Sequence, residues 1–336
     1  MKNFYWIMFL LLLTISTLIT ISSMSWLTSW IGLEINLLAF IPMMKNHKNK
    51  YSTEATIKYF MIQAMASSML LFSIISFSNS IEYSHNLSLY SSIFISSSLL
   101  LKMGMAPFHF WLPEVTSGLN WNMIFIMLTW QKIAPMILLS YCIYSSMFIS
   151  IIILLSSIIS GIQGLNQICL RKMITYSSIN HMSWMVSTLL TTLSAWIYYF
   201  LIYSIINLNI MVIFNENKIY YMKQLTKFFM FNKKTKFLFM LNFLSLGGMP
   251  PFLGFFPKWL TINYMIKSNF YMLSLILVIF TLLSLYFYLR ITFSSFTINS
   301  EKTLIKTFNK IKYMHFMLNL FAIMGLSICL IFCYFL

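Results

Sequence analysis

Apolar runs of membrane-crossing length follow one another through almost the whole 336-residue chain, and they constrain its fold more than any other feature. A helix needs about 20 apolar residues to cross a bilayer. Eleven runs meet that need, at roughly 4–22, 24–44, 56–78, 87–118, 121–145, 147–166, 172–190, 193–214, 237–266, 269–294 and 313–335. Hydrophobic residues make up 60% of the chain and charged residues 8%. A soluble domain carries about 25% charged residues, so this chain has too few to dress a water-facing surface. Backbone polar groups must be paired within lipid, and no strand pattern offers a barrel. The predicted fold class is an all-α polytopic membrane protein with about eleven transmembrane helices in a single membrane domain, 1–336. Disulfide scaffolds, disordered regulators and nucleic-acid readers are excluded by the same composition.

The net charge of +16 is distributed by side. With loops numbered alternately, the N-terminal side holds Lys2, then Lys45, Lys48 and Lys50, then Arg171 and Lys172, then six lysines from Lys218 to Lys236, then Lys302, Lys306, Lys310 and Lys312. The other side holds little beyond Lys267. One missed or invented span would scramble this split. The positive-inside rule places the N-terminus in the cytoplasm or matrix. No cleavage site or Arg-rich leader marks the first run, so it is expected to be retained.

Runs four and nine are too long for single straight spans, and they share a pattern. One reads Gly104–Met105–Ala106–Pro107–Phe108–His109–Phe110–Trp111–Leu112–Pro113; the other reads Gly248–Met249–Pro250–Pro251–Phe252–Leu253–Gly254–Phe255–Phe256–Pro257. The offset of 144 residues carries run 1 onto run 6, run 2 close to run 7 and run 5 close to run 10. A five-span offset is odd, so the copies must face opposite ways, as two inverted five-helix repeats over 4–145 and 147–294 with an extra helix at 313–335. Gly and Pro within each copy predict two broken helices. Irregular backbone at membrane depth is tolerated against protein or a water-filled cavity, which points to an ion or solute path.

Ionisable residues inside the runs mark that path. Glu34 is central in run 2, Lys102 precedes the first break, Lys132 is central in run 5, Lys258 follows Pro257 and His181 lies within run 7. A charge at the bilayer centre costs about 2.5–3.5 kcal/mol on insertion scales. Such residues are prone to exchange protons, and a string of them reads as a proton relay. Snorkelling is the alternative for each lysine, a static ion pair for Glu34 and a packing role for His181. His109 and Glu114, just after the first break, are read as facing water at its exit. Glu34 and Lys102 are expected to form a switchable ion pair, with the carboxylate about 4–6 Å from the amine or linked to it by water.

Bound redox or metal centres find no support. Cys142, Cys169, Cys329 and Cys333 form no Cys-x-x-Cys and read as inert thiols. Of the histidines, only His109 and His181 lie well inside runs, with His315 at an edge. All six acids are Glu, and Met and Phe are abundant, with 27 and 32 copies. That bias suggests an A+T-rich genome with an altered Met code, such as an organelle's.

Five segments together resemble a known family: Trp30–Ile31–Gly32–Leu33–Glu34–Ile35–Asn36, Lys102 to Trp111, Thr129–Trp130–Gln131–Lys132, Tyr176 to Met182 and Leu246 to Trp259. The chain resembles the chain 2 family of the respiratory NADH:ubiquinone oxidoreductase, in the mitochondrially encoded form of insects or related animals. The resemblance implies one of three antiporter-like proton-translocating subunits in the membrane arm of complex I, in the mitochondrial inner membrane. It implies that Glu34, Lys102, Lys132 and Lys258 carry the proton path. It implies that FMN, iron–sulfur clusters, NADH and ubiquinone belong to other subunits, with no cofactor on this chain. The implied partners are neighbouring antiporter-like and small membrane subunits, accessory subunits and phospholipids, and no nucleic acid. Bacterial relatives have fourteen spans and the animal form lacks the first three, which agrees with the count of eleven. No charge stands near Ile276, where the repeat would place a counterpart of Lys132. Two other functions compete: a free-standing cation/proton antiporter, and a structural membrane subunit whose lysines are relics.

Overall fold

The computed structural model describes residues 2–45, 49–80, 85–225 and 233–296. The predicted run 313–335, Lys302 to Lys312, His315, Cys329 and Cys333 lie outside the described residues. Thirteen helices are numbered in chain order: α1 (Lys2–Ser22), α2 (Trp26–Met44), α3 (Lys50–Ser80), α4 (His85–Met103), α5 (Trp111–Gly118), α6 (Trp121–Leu128), α7 (Trp130–Ser140), α8 (Ser146–Leu165), α9 (Leu170–Leu189), α10 (Leu193–Asn217), α11 (Lys233–Gly247), α12 (Phe255–Lys267) and α13 (Tyr271–Phe296). Among the described residues no named strand occurs, and one isolated bridge joins Cys169 to Tyr221. The chain divides within α8 into two compact units, Met1–Leu155 and Ser156–Leu336.

Among the described residues, seven helical stretches are long and apolar enough to cross a membrane: α1, α2, α3, the α6–α7 stretch, α8, α10 and α13. Their outer faces carry large apolar side chains, such as Leu11, Ile15 and Leu18 of α1 and Met61, Met65 and Phe72 of α3. Lipid is the natural solvent for such faces. Serine and threonine hydroxyls on the inner face of α1 donate back to carbonyls three residues earlier, as Ser16 does to Leu13 and Thr20 to Thr17. Their polar atoms are thus paired without water. The stretches outside the seven are the broken ones and α9, where polar residues replace apolar ones. Every residue of α9 from Met173 to Leu189 is buried, so this serine-rich helix faces protein rather than lipid.

Both predicted interruptions are present and end their helices alike. After α4, the Gly104 N–H donates to Leu101 O at 3.1 Å and the Met105 N–H to Leu100 O at 3.1 Å. After α11, the Gly248 N–H donates to Ser245 O at 3.0 Å and the Met249 N–H to Leu244 O at 3.3 Å. The glycines have φ of 73° and 78°. Crossed bonds around a left-handed glycine form a Schellman ending, and it recurs at the 144-residue offset.

Two features differ from the expectation drawn from hydropathy. Run 5 is not one helix: α6 and α7 meet at Thr129, with φ −115° and ψ −74°. There the Thr129 hydroxyl donates to Phe125 O at 2.7 Å and the Lys132 N–H closes a tighter turn on Thr129 O at 3.1 Å, a local arrangement that bends a helix. Helix α3 begins six residues before the predicted 56, because Asn49 caps its first turn through a bond from the Tyr51 N–H at 3.1 Å.

Basic segments predicted for one side meet in the second unit. The Leu170 N–H donates to Tyr220 O at 3.0 Å, and the Arg171 guanidinium lies 4.7 Å from the Tyr220 ring centroid. Arg290, at the end of α13, donates to Leu165 O at 2.7 Å and Gln167 O at 3.1 Å. The α8–α9 link, the described start of the α10–α11 link and Arg290 of α13 therefore lie together in this unit.

Candidate functional site

In the first unit, the end of α4 and the start of α7 present Lys102 and Lys132 to one cavity. Lys102 is 8% exposed and Lys132 is 2% exposed. The cavity holds about 20 Å³ of water-accessible space, room for about one molecule, and is lined by Asn36, Tyr59, Gln63, Lys102, Gln131 and Lys132 among apolar neighbours. Three amides tie it together. Gln131 Nε2 donates to Asn36 Oδ1 at 2.9 Å, joining α7 to α2. Gln63 Nε2 donates to Lys102 O at 3.3 Å, which satisfies a carbonyl at the end of α4. Trp111 Nε1 does the same for Leu101 O at 3.2 Å. The break thus frees carbonyls and neighbouring side chains close them off, leaving both lysines in a polar pocket inside an apolar shell.

Glu34 is half-buried and occupies the same helical stripe as Leu27, Ile31 and Leu38, all exposed. Its carboxylate acts on Lys102 electrostatically, yet no ion pair within 4.0 Å joins the two. Asn36, two residues on and so on nearly the opposite face, is the polar α2 residue that lines the cavity, beside Leu33 and Leu37. Glu114 is exposed and pairs with Lys58 at 2.9 Å. His109 instead is fully buried, so the expectation that it faces water is corrected: the turn after Gly104 folds it inward, against Phe110 at 4.3 Å between ring centroids.

In the second unit, Lys258 sits in the first turn of α12 and is 8% exposed. Its ammonium donates to Gly247 O at 2.8 Å, closing the end of α11 across the break. Gly248 makes room for it: a Cβ there would stand 2.8 Å from Lys258 Cδ. His181, 7% exposed at mid-α9, has Nδ1 3.0 Å from the Tyr199 hydroxyl of α10. His181 thus lies inside the protein with a phenol partner.

Among the described residues, each of the three buried lysines lies within a few residues of a helix interruption: Lys102 before Gly104, Lys132 after Thr129 and Lys258 after Gly254. Among the described residues no group of three or more His, Cys, Asp or Glu could hold a metal. The arrangement suits proton exchange along buried polar groups. Sequence reasoning singled out the charged members and missed Asn36, Gln63, Gln131 and Tyr199. Their signal was polarity inside apolar runs, which without a helix face to refer to looks like any other tolerated amide.

Residues 23–284 match the family described as NADH:quinone oxidoreductase/Mrp antiporter, transmembrane. The NADH-ubiquinone oxidoreductase chain 2 of Anopheles gambiae is 50% identical over 299 residues, 88% of this chain and 86% of that protein. That of Locusta migratoria is 42% identical over 324 residues, 95% of this chain and 94% of the relative. A chain of the respiratory complex I structure from Thermus thermophilus superposes with a TM-score of 0.86 at 21% identity, over 98% of this chain and 79% of that one, which shows a shared fold. The chain therefore belongs to the NADH:quinone oxidoreductase/Mrp antiporter family, within its branch of NADH-ubiquinone oxidoreductase chain 2 proteins.

Proposed function

We propose that this chain is the antiporter-like, proton-translocating subunit of the complex I membrane arm, and that Lys102, Lys132 and Lys258 hand protons along its interior. The observation that carries this reading is the pairing of every buried lysine among the described residues with a helix interruption. A lysine buried at membrane depth is retained against a desolvation penalty, and a broken helix beside it gives carbonyls and room for water. NADH oxidation and quinone reduction, with FMN and iron–sulfur clusters, belong to other subunits. Neighbouring membrane subunits, accessory subunits and phospholipids surround the chain in the mitochondrial inner membrane.

Glu34 acts from a distance. An approaching carboxylate holds a proton on Lys102, and a receding one lets it go. Its place on the half-buried stripe of α2 suits a group that a neighbouring subunit moves, opening and closing its pairing with Lys102. From Lys102 the proton passes across the amide-lined cavity to Lys132 within the first unit; within the second unit, His181 and Lys258 carry it. Eleven spans, two inverted repeats, a matrix N-terminus and a C-terminus in the intermembrane space complete the reading, supported by the recurring Schellman endings and the lysine distribution.

A free-standing antiporter is the second reading, favoured by the Mrp members of the matched family. Proteoliposomes separate the two. The purified chain alone should show no cation/proton exchange, whereas the intact complex should acidify or alkalinise the lumen on adding NADH and quinone. Lys102→Met in the intact complex should abolish much of that response. Robust exchange by the isolated chain would favour the antiporter, and full pumping by Lys102→Met would remove the basis of both.

A further inference from the structure

The second unit poses a problem for the proton path. Lys258 is the buried lysine among its described residues, and Ile276 stands where the repeat offset would place a counterpart of Lys132. What the unit buries instead is a set of phenols around an imidazole. Tyr199 is 1% exposed, and Tyr203 and Tyr288 are each 3% exposed. Tyr199 and Tyr203 lie one helical turn apart on the inner face of α10. The His181 ring centroid lies 6.1 Å from that of Tyr199 and 5.1 Å from that of Tyr203. Tyr288 lies on α13, which packs against α9, and the buried Tyr203 hydroxyl makes no hydrogen bond among the described residues. Helix α12, which carries Lys258, packs against both α9 and α10.

We propose that His181 and Tyr199 form an uncharged proton relay in the second unit, doing with a neutral pair what a second buried lysine does in the first. The inference rests on the proton-path reading above. Two arrangements of the 3.0 Å contact are open to the pair: the phenol donates to Nδ1, or Nδ1–H donates to the phenol oxygen. In the second arrangement a proton arriving at Nε2 is matched by transfer of the Nδ1 proton to the Tyr199 oxygen. The phenol's own proton then leaves for the next acceptor in the cluster. One proton enters and one leaves, and both side chains end neutral, with Nε2 protonated and the phenol donating to Nδ1. Tautomerisation of the ring and rotation of the hydroxyl restore the start without moving net charge. A neutral pair avoids a second buried charge, whose desolvation would be the larger penalty. Packing alone would need the ring of Tyr199 but not its hydroxyl.

Tyr199→Phe separates the two, since it removes the hydroxyl and keeps the ring. In the intact complex, assembled to normal levels on native gels, this variant should lower kcat for coupled NADH:quinone turnover about 3- to 10-fold, the size of one lost hydrogen bond. KM for NADH and for quinone should not change, and the solvent deuterium isotope effect on kcat should rise. If the pair works as a unit, adding Tyr199→Phe to His181→Gln should cost nothing further. Wild-type kcat and isotope effect in Tyr199→Phe, or additive effects in the double variant, would overturn the relay and leave His181 a packing residue. Lys258→Met is the benchmark. If it pumps normally, the proton-path reading fails and the relay with it; if it is dead while Tyr199→Phe is normal, only the relay fails.

Discussion

Replacing Gly248 by alanine should damage the second unit far more than an alanine elsewhere in it. Gly248 has φ of 78°, a left-handed conformation that costs an L-residue about 1–2 kcal/mol. The new Cβ would also stand 2.8 Å from Lys258 Cδ and 3.0 Å from Nζ. The flexible tip of the lysine must then shift from its place 2.8 Å from Gly247 O. A hydrogen bond to a charged donor is worth about 1.5–3 kcal/mol, so the loss runs from about 1 kcal/mol with that bond kept to about 5 kcal/mol with it broken. Gly161→Ala is the control: it lies inside α8, its Cβ would meet Leu283 at an ordinary 3.5 Å, and helix propensity favours alanine by up to about 1 kcal/mol. The assay heats the purified complex in steps, follows retention of the subunit on native gels and measures NADH-driven proton uptake at each step. Gly248→Ala should lose the subunit at clearly lower temperature and pump poorly even when assembled. Equal behaviour of the two variants would refute the argument that this glycine exists to admit Lys258.

Two further outcomes follow from the geometry. Glu34→Gln should assemble normally, because Glu34 is half-buried and in no close ion pair, yet should slow coupled turnover severalfold; unchanged turnover would remove Glu34 from the path. Trypsin should cut after exposed Lys218 or Lys223 in inverted inner-membrane vesicles and not in intact mitoplasts, and cutting from the outer face would reverse the orientation.

The helix interruptions were legible because they are local. Gly104 and Gly248 stand inside apolar runs with proline close behind, and both adopt the left-handed ending such a pattern favours. The buried lysines were legible because a charge inside an apolar run needs a reason. What escaped was directional. Glu34 and Asn36 are two residues apart, and only the helix face decides that Asn36 reaches the lysine cavity while Glu34 lies on the outward stripe. Tyr199 was hidden among nineteen tyrosines, and its hydrogen bond to His181 depends on the packing of α9 on α10, which hydropathy does not encode. The break at Thr129 was obscured for a different reason: a threonine hydroxyl that bonds the carbonyl four residues back, here Phe125 O at 2.7 Å, leaves no mark in hydropathy.

The central claim is that the buried lysines exchange protons and do not merely supply charge. Lys132→Arg tests that difference, since a guanidinium keeps its proton under all physiological conditions while preserving the positive charge. The measurement is the number of protons translocated per NADH oxidised by the intact complex in proteoliposomes, for wild type, Lys132→Met and Lys132→Arg. The account predicts that Lys132→Arg is as deficient as Lys132→Met. A wild-type proton yield from Lys132→Arg would show that charge alone suffices at this position and would contradict proton transfer through Lys132.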